Sequence, residues 1–254
     1  MPRSGELYYT SQAQRARGMP ALVLIHGAAG SSASWPYQLR RLPGWQVFAP
    51  DLPGHANSSL LDLKGSLQAY ADSLWEWVDT LGLEQVALCG HSMGAAIALH
   101  MAQRAPQRTI GVVLLGAAAK FSVNPQLLEK LSMPARQQDA VRNIVQWSFA
   151  RRAHNALRLA YTRQLMNTPA DVLYQDFKVC TEFDISAAKA AWRGRTVILS
   201  GAEDQMVPAH LSAALAAALP MAEEHTVADA GHMLMLEQPE KVAEIVEKTL
   251  QNWK

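Results

Sequence analysis

The chain has 254 residues, of which 49% are hydrophobic and 18% are charged, and its formal net charge is +1. This length and composition suit one large domain with a sizeable core and exclude an intrinsically disordered chain. A charge so close to zero argues against a general nucleic-acid-binding protein, so no nucleic-acid partner is expected.

Short apolar runs alternate with segments of helical spacing along most of the chain. Strands are predicted at 21–25, 47–49, 85–89, 110–115, 196–200 and 224–227. Helices are predicted at 34–42, 66–81, 95–102, 212–218 and 239–253. This alternation predicts an α/β fold with a mostly parallel central sheet and helices on both faces.

One segment, residues 120–188, breaks the alternation. It has no strand pattern, and Pro125, Pro134 and Pro169 divide it into helix-like stretches. We interpret it as a helical cap inserted into a core formed by residues 1–119 and 189–254. Six apolar residues are expected to line an acyl pocket beneath the cap or to pack in its core: Trp147, Phe149, Leu157, Tyr161, Leu165 and Met166.

The predicted cap is locally basic. Between residues 130 and 168, seven basic side chains accompany one acid, Asp139, which leaves an excess of six positive charges: Lys130, Arg136, Arg142, Arg151, Arg152, Arg158 and Arg163. Such a run can be a solvated helical face. It can also be a docking surface for an anionic substrate or an acidic carrier protein.

Residues 90–94 read Gly-His-Ser-Met-Gly and lie between a predicted strand and a predicted helix. The pattern alone is weak, because a serine between two glycines is commonly only a turn. The strand before it and the helix after it indicate a tight turn that exposes the Ser92 hydroxyl as a nucleophile.

A serine hydroxyl needs a base to take its proton, and a carboxylate to orient that base. Asp204 follows the predicted strand 196–200, and His232 follows the strand 224–227. Together with Ser92 they would lie at the carboxyl ends of strands, where ligand sites of open α/β sheets form. Glu203 is a rival for the acid, whereas Asp229 is interpreted as a turn residue.

An acyl-transfer site also needs two N–H donors for the oxyanion of the tetrahedral intermediate. Met93, directly after the serine, is predicted to supply one. The small residues of the loop 26–30 favour Ala28 as the other. This loop could instead be a plain glycine turn or a phosphate loop, but no GxGxxG or GK(S/T) pattern supports nucleotide binding. No metal-ligand pattern is present either, so no cofactor and no metal are expected.

These motifs resemble the α/β-hydrolase fold family, in particular its single-domain serine esterases. The matching stretches are 26–30 with Trp35, 51–55, 90–94, 201–204 with 207–208, and 231–232. The resemblance implies a Ser92-His232-Asp204 triad that cleaves carboxylic esters of small to medium acyl groups through an acyl-enzyme. One departure is Ala56, where the family usually has glycine. A serine nucleophile argues against the dehalogenase and epoxide-hydrolase branches, which use aspartate.

Other functions remain open at this level. The chain also resembles esterases that act on a methyl ester linked to acyl-carrier protein, a reading that the basic cap favours. The same triad serves C–C bond hydrolases, lactonases and perhydrolases of this fold. A receptor that keeps the fold but turns over slowly is a further alternative.

The remaining features concern compartment and redox chemistry. Cys89 and Cys180 lie far apart without a CxxC spacing, which argues against a disulfide framework. Residues 1–7 lack the apolar segment of a secretory signal, and runs such as 112–119 are shorter than the roughly 20 residues of a membrane span. We therefore expect a cytoplasmic protein without a membrane span.

Overall fold

The computed structural model describes residues 3–4, 7–11, 18–59, 66–185 and 192–253. Its strands are β1 (Arg3–Ser4), β2 (Leu7–Ser11), β3 (Ala21–Ile25), β4 (Gln46–Pro50), β5 (Val86–His91), β6 (Thr109–Leu115), β7 (Thr196–Gly201) and β8 (Ala222–Val227). They form one sheet in the order β1-β2-β4-β3-β5-β6-β7-β8. The pairings β1–β2 and β2–β4 are antiparallel, and the others are parallel. The predicted α/β fold class is confirmed.

The helices surround this sheet. They are α1 (Tyr37–Arg40), α2 (Leu67–Thr80), α3 (Met93–Arg104), α4 (Pro125–Leu131), α5 (Gln137–Ser148), α6 (Asn155–Asn167), α7 (Ala170–Glu182), α8 (Ala209–Ala218), α9 (Leu234–Glu237) and α10 (Pro239–Gln251). The Ser66 side chain accepts a hydrogen bond from the Ala69 N–H and so caps the start of α2. In the part of the chain that the structure describes, no helix combines the length and the apolar composition of a bilayer-crossing segment.

The central strand β3 shows why the predicted strands are continuously apolar and do not alternate between apolar and polar residues. Leu22 and Leu24 pack in the core on one face of the sheet, and Val23 and Ile25 pack in the core on the other. Successive strand side chains point to opposite faces, so a strand covered on both faces needs apolar residues at every position. All five residues of β3 are buried.

Two predictions of local structure are wrong in detail. The helix predicted at 34–42 is only Tyr37–Arg40. Pro36 disfavours helical backbone at the residue before it, and Trp35 is extended with ψ 127°. The strands β1 and β2 were not predicted, because both are short and rich in polar residues. The strand β2 pairs with β1, which directly precedes it, and with β4, which lies further along the chain.

The cap segment, defined here as residues 120–185, lies between β6 and β7. It contains α4 to α7, and its described residues contribute one isolated bridge, Lys120 to Asp184, but no strand of the main sheet. The Ile185 N–H donates to the Ala119 carbonyl at 2.9 Å, so the segment leaves and re-enters the core at one place. Residues 186–188 of the predicted cap lie outside the described residues, and the division into core and cap stays a proposal.

Candidate active site

Ser92 occupies the turn between β5 and α3. Its backbone has φ 54° and ψ −118°, a positive-φ conformation that is strained for a residue with a side chain. Two glycines allow this turn: a Cβ on Gly90 would lie 2.1 Å from the Gly94 carbonyl oxygen, and a Cβ on Gly94 would lie 2.1 Å from that of Ile25. Strand and helix can therefore approach closely enough to hold the serine at the carboxyl edge of the sheet.

Asp204 and His232 lie on the loops that follow β7 and β8. The His232 Nδ1 is 2.8 Å from the Asp204 Oδ2, and both residues are buried. The other carboxylate oxygen, Oδ1, accepts hydrogen bonds from the Met206 and Val207 N–H groups, each at 2.8 Å. The carboxylate is held by the two backbone N–H groups at Oδ1 and faces the imidazole at Oδ2. A hydrogen bond from the Nδ1–H to Oδ2 favours the tautomer of the neutral ring in which Nε2 can accept a proton.

Ser92 and His232 line one cleft of about 240 Å³. Its wall carries the aromatic residues Phe121, Trp147 and Phe177, and the aliphatic residues Val123, Leu127 and Val207. Ser122, Asn124 and Gln205 add uncharged polar groups. Among the described lining residues there is no Asp, Glu, Lys or Arg. Ser92 and His232 thus share one cleft of mixed polar and apolar lining, and Asp204 contacts His232 behind it.

The two predicted oxyanion donors lie beside the same serine. Met93 is the first residue of α3, a position whose N–H has no partner within the helix. Ala28 lies in a turn closed by a 3.0 Å hydrogen bond from the Gly30 N–H to the Gly27 carbonyl. That turn abuts the nucleophile, since a Cβ on Gly27 would come within 3.2 Å of the Ser92 Cβ.

Two buried histidines behind this turn have opposite protonation preferences. The His26 Nε2 accepts the Leu52 N–H at 2.9 Å, which requires a neutral ring, and burial lowers the pKa of His26 to about 3. His55 faces acceptors with both nitrogens, Nδ1 towards the Pro53 carbonyl and Nε2 towards Asp176. Burial is the largest single influence and lowers the pKa of His55, but the Asp176 carboxylate, the Pro53 carbonyl and Asp51 together outweigh it, so the pKa is raised.

Asp176, on α7 of the cap segment, was missed by sequence reasoning. Its side chain is fully buried; Oδ2 accepts the Ala29 N–H at 2.7 Å as well as His55, and Oδ1 accepts the Tyr70 hydroxyl at 3.1 Å. A signal was present, because position 176 falls on the buried stripe of α7 with Val172, Leu173, Phe177, Val179 and Cys180. A carboxylate on an apolar stripe indicates buried partners.

Glu237 is a second residue that the sequence did not reveal. Its carboxylate accepts the Gly231 N–H at 2.9 Å and the Ala150 N–H at 2.8 Å. It therefore ties the loop of His232 to the cap segment. Burial raises the pKa of this carboxyl group.

The other candidates fall in different places. The carboxylate of Glu203, the rival acid, accepts the Arg151 N–H at 2.9 Å and so is engaged with the cap segment. Asp229 lies in a turn with φ 53°, as interpreted. Of the six apolar residues expected at the pocket, Trp147 lines the cleft, whereas Met166 is 42% exposed. The remaining four pack in or against the core: Phe149, Leu157, Tyr161 and Leu165.

Comparison with known proteins identifies the class. The sequence profile of the alpha/beta hydrolase fold matches residues 20–239. The chain therefore belongs to the α/β-hydrolase fold family.

Curated relatives span several chemistries. The chain is 27% identical over 276 residues to the 2-hydroxymuconate semialdehyde hydrolase of Pseudomonas putida, covering 96% of this chain and 91% of that protein. It is 28% identical over 257 residues to the dihydrolipoyllysine-residue acetyltransferase component of the acetoin cleaving system of Cupriavidus necator, covering 94% of this chain. It spans 65% of that protein's length and 62% of its Pseudomonas putida counterpart.

Solved structures share the fold over almost the whole chain. The enol-lactonase of Burkholderia xenovorans superposes with a TM-score of 0.89 at 19% identity, covering 96% of each chain. An esterase from Exiguobacterium antarcticum gives a TM-score of 0.86 at 19% identity, covering 96% of this chain and 95% of that one. At these identities the likeness extends to the fold and not to the substrate.

The buried histidines predict how stability depends on pH. Burial, together with the neighbouring His232, lowers the pKa of His91 to about 3, and His26 is similarly lowered. Between about pH 3 and 6.5 the unfolded chain binds protons at these two positions that the folded chain excludes. The free energy of unfolding should therefore rise with pH across this window, by up to about 1.4 kcal/mol per pH unit for each histidine.

Urea unfolding at a series of pH values from 5.0 to 7.0 measures this slope. His91→Gln should reduce the slope of the wild type by up to one proton, because the glutamine does not titrate. Equal slopes for the two proteins would show that His91 does not contribute.

Proposed function

We propose that this protein is a cofactor-independent serine hydrolase that cleaves carboxylic esters of small to medium acyl groups. The observation that carries the proposal is the 2.8 Å hydrogen bond from His232 Nδ1 to Asp204, with His232 lining the same cleft as Ser92. An oriented imidazole beside a serine on a strained turn is the arrangement that activates a hydroxyl nucleophile.

Each step of the reaction has a residue to perform it. The Ser92 Oγ attacks the ester carbonyl carbon while His232 Nε2 accepts its proton. The carbonyl oxygen becomes an anion held by the Ala28 and Met93 N–H groups. His232 then donates the proton to the leaving alcohol as the C–O bond breaks. A water molecule, deprotonated by His232, attacks the acyl-enzyme and releases the acid and free Ser92.

Two electrostatic features favour these charges. The helix α3, of 12 residues, begins at Met93, directly after Ser92, so its dipole would stabilise negative charge on an oxyanion formed at Ser92. The buried Asp204 carboxylate stabilises the imidazolium that forms on His232 while keeping its orientation.

The cleft supports a neutral acyl group of limited size. An apolar cavity of about 150 Å³ holds one benzene molecule, so about 25 Å³ serves each carbon atom. At that packing a cleft of about 240 Å³ holds about nine or ten non-hydrogen atoms, including part of the alcohol. Lactone opening uses the same attack on an ester carbonyl, and an anionic acyl group would find no cation among the described lining residues.

The triad predicts the effect of single substitutions. Ser92→Ala, Asp204→Asn and His232→Ala should each lower kcat for p-nitrophenyl butyrate by about 10³ to 10⁶, with the smallest loss for Asp204→Asn. Losses in double variants should be far from additive, because the three groups act as a unit. A fluorophosphonate probe should label wild-type protein and fail on Ser92→Ala.

Glu203→Gln is the matched control for the acid. Its amide oxygen can still accept the Arg151 N–H, so kcat should stay close to that of the wild type. If Glu203→Gln lost as much kcat as Asp204→Asn, the choice of Asp204 as the acid would be wrong. Full activity of His232→Ala would refute the mechanism. Negligible wild-type turnover combined with tight ester binding would support a receptor.

The size of the cleft predicts chain-length selectivity. Across p-nitrophenyl esters from acetate to decanoate, kcat/KM should be highest near butyrate to hexanoate, and at decanoate it should be at least about tenfold lower because the cleft is full. Leu127→Ala removes a lining side chain and should move the optimum to longer acyl groups. A profile that is flat to decanoate, or an unchanged optimum in Leu127→Ala, would contradict this assignment of the acyl site.

We propose a carrier-linked ester as a second candidate substrate, because the cap segment presents cations to solvent. Five arginine side chains are exposed there: Arg136, Arg142, Arg151, Arg152 and Arg163. An acidic carrier protein would be attracted to this surface, and its acyl ester would enter the cleft beneath.

Charge reversal separates this candidate from a simple esterase. Replacing Arg151 and Arg152 with Glu should raise KM for an acyl-carrier-protein-linked methyl ester and spare p-nitrophenyl butyrate. The same reversal at Arg193 and Arg195, exposed residues outside the cap segment, controls for net charge. An equal effect on both substrates, or an equal effect of both pairs, would refute docking at the cap segment.

A further inference from the structure

The cap segment holds Ala29 by both of its backbone polar groups. The Ala29 N–H donates to the Asp176 Oδ2 at 2.7 Å, and the Gln164 Nε2 donates to the Ala29 carbonyl at 2.7 Å. Asp176 lies on α7 and Gln164 on α6, so two different cap helices contribute. Ala29 itself belongs to the core, next to the proposed oxyanion donor Ala28.

Ala29 needs such support because of its backbone conformation. It lies at the third position of the turn Gly27–Gly30 with φ 53°. A turn with positive φ there favours glycine, since a Cβ makes the conformation costly. Besides the turn's own bond from the Gly30 N–H to the Gly27 carbonyl, two hydrogen bonds to Ala29 stabilise this conformation. Both bonds here come from the cap segment.

The Asp176 carboxylate is built to act as a fixed acceptor. It is fully buried, and it receives donors from Ala29, His55 and Tyr70, which lie on three separate parts of the core. Both ring nitrogens of His55 face acceptors, the Pro53 carbonyl and the Asp176 carboxylate, so its Nε2 is placed to donate to Asp176. A buried carboxylate satisfied by three donors cannot move without leaving one of them unpaired.

We propose that Asp176 and Gln164 are positioning residues that set the oxyanion hole through Ala29, an inference that rests on the proposed function. Oxyanion donors act only when they are aimed at the developing charge, so a small shift of the turn weakens transition-state stabilisation. The next residue on α7, Phe177, lines the cleft. One helix therefore both contacts the acyl group and holds the turn that stabilises its oxyanion.

Gln164→Leu tests this role, because the Gln164 side chain is only half-buried. The variant removes the hydrogen bond to the Ala29 carbonyl and a longer one, at 3.2 Å, to the Ser34 hydroxyl. It should lower kcat for p-nitrophenyl butyrate by about tenfold, which is less than the 10²- to 10³-fold effect of losing a whole oxyanion donor. KM should change less than about twofold, because the oxyanion exists only in the transition state. The inhibition constant of butylboronic acid, whose serine adduct carries a negative oxygen, should rise in parallel with the loss of kcat.

Gln137→Leu is the matched control. Gln137 lies on α5, is also half-buried and donates its Nε2 to the Thr168 carbonyl at 3.3 Å, within the cap segment. The same chemical change there should leave kcat and boronate inhibition unchanged.

A second pair of variants tests Asp176. Asp176→Asn keeps the shape and one acceptor oxygen but loses the charge, and it should lower kcat by about tenfold or more. Tyr70→Phe removes only the donor to the other carboxylate oxygen. Because this donor is one of the three that fix the carboxylate, its loss should lower kcat, but by less than Asp176→Asn does.

Wild-type kcat in both Gln164→Leu and Asp176→Asn would overturn the proposal. A rise in KM at constant kcat would also overturn it, because it would indicate a role in ground-state binding. Failure of the proposed function is recognised separately by including Ser92→Ala. If the wild type turned over ester no faster than this variant, the proposed hydrolase function would be refuted, and with it the positioning role of Asp176 and Gln164.

Discussion

The close approach of β5, α3 and β3 around Ser92 is the constraint on which the rest of the site depends. Gly90 and Gly94 leave no room for a side chain, so the strand-to-helix turn is tight and Ser92 is held at positive φ. The same approach places the N-terminus of α3 beside the turn Gly27–Gly30. The positions of the proposed nucleophile, of the helix N-terminus and of the proposed oxyanion loop thus follow from one close approach of the backbone.

Buried polar groups then join the cap segment to this core. Asp176 reaches Ala29 and His55, and Glu237 reaches Gly231 and Ala150. Burying each carboxylate costs free energy, and hydrogen bonds from several donors offset that cost. Each carboxylate therefore fixes a geometry that apolar packing alone would not define. The loops of the oxyanion donor and of His232 are both secured in this way.

The candidate triad could be predicted from the sequence because its signals are local. Ser92 has its glycines, and Asp204 and His232 each follow a recognisable buried strand. The residues that were missed, Asp176 and Gln164, lie more than 130 positions from Ala29, and no spacing rule connects them. Their roles exist only once α6 and α7 pack over the turn.

The sequence by itself determined the α/β class and the residues proposed for acyl-transfer chemistry. Buried strands and tight turns have patterns that span only a few consecutive residues, so they can be recognised locally. Tertiary structure decided that β2 joins the sheet and which cap side chains reach the core. It also shifts the pKa values of two histidines in opposite directions, since burial lowers the pKa of His26 and the neighbouring Asp176 contributes to raising that of His55. These properties depend on groups that are distant in the chain and come into contact only in the folded structure, so no local sequence pattern predicts them.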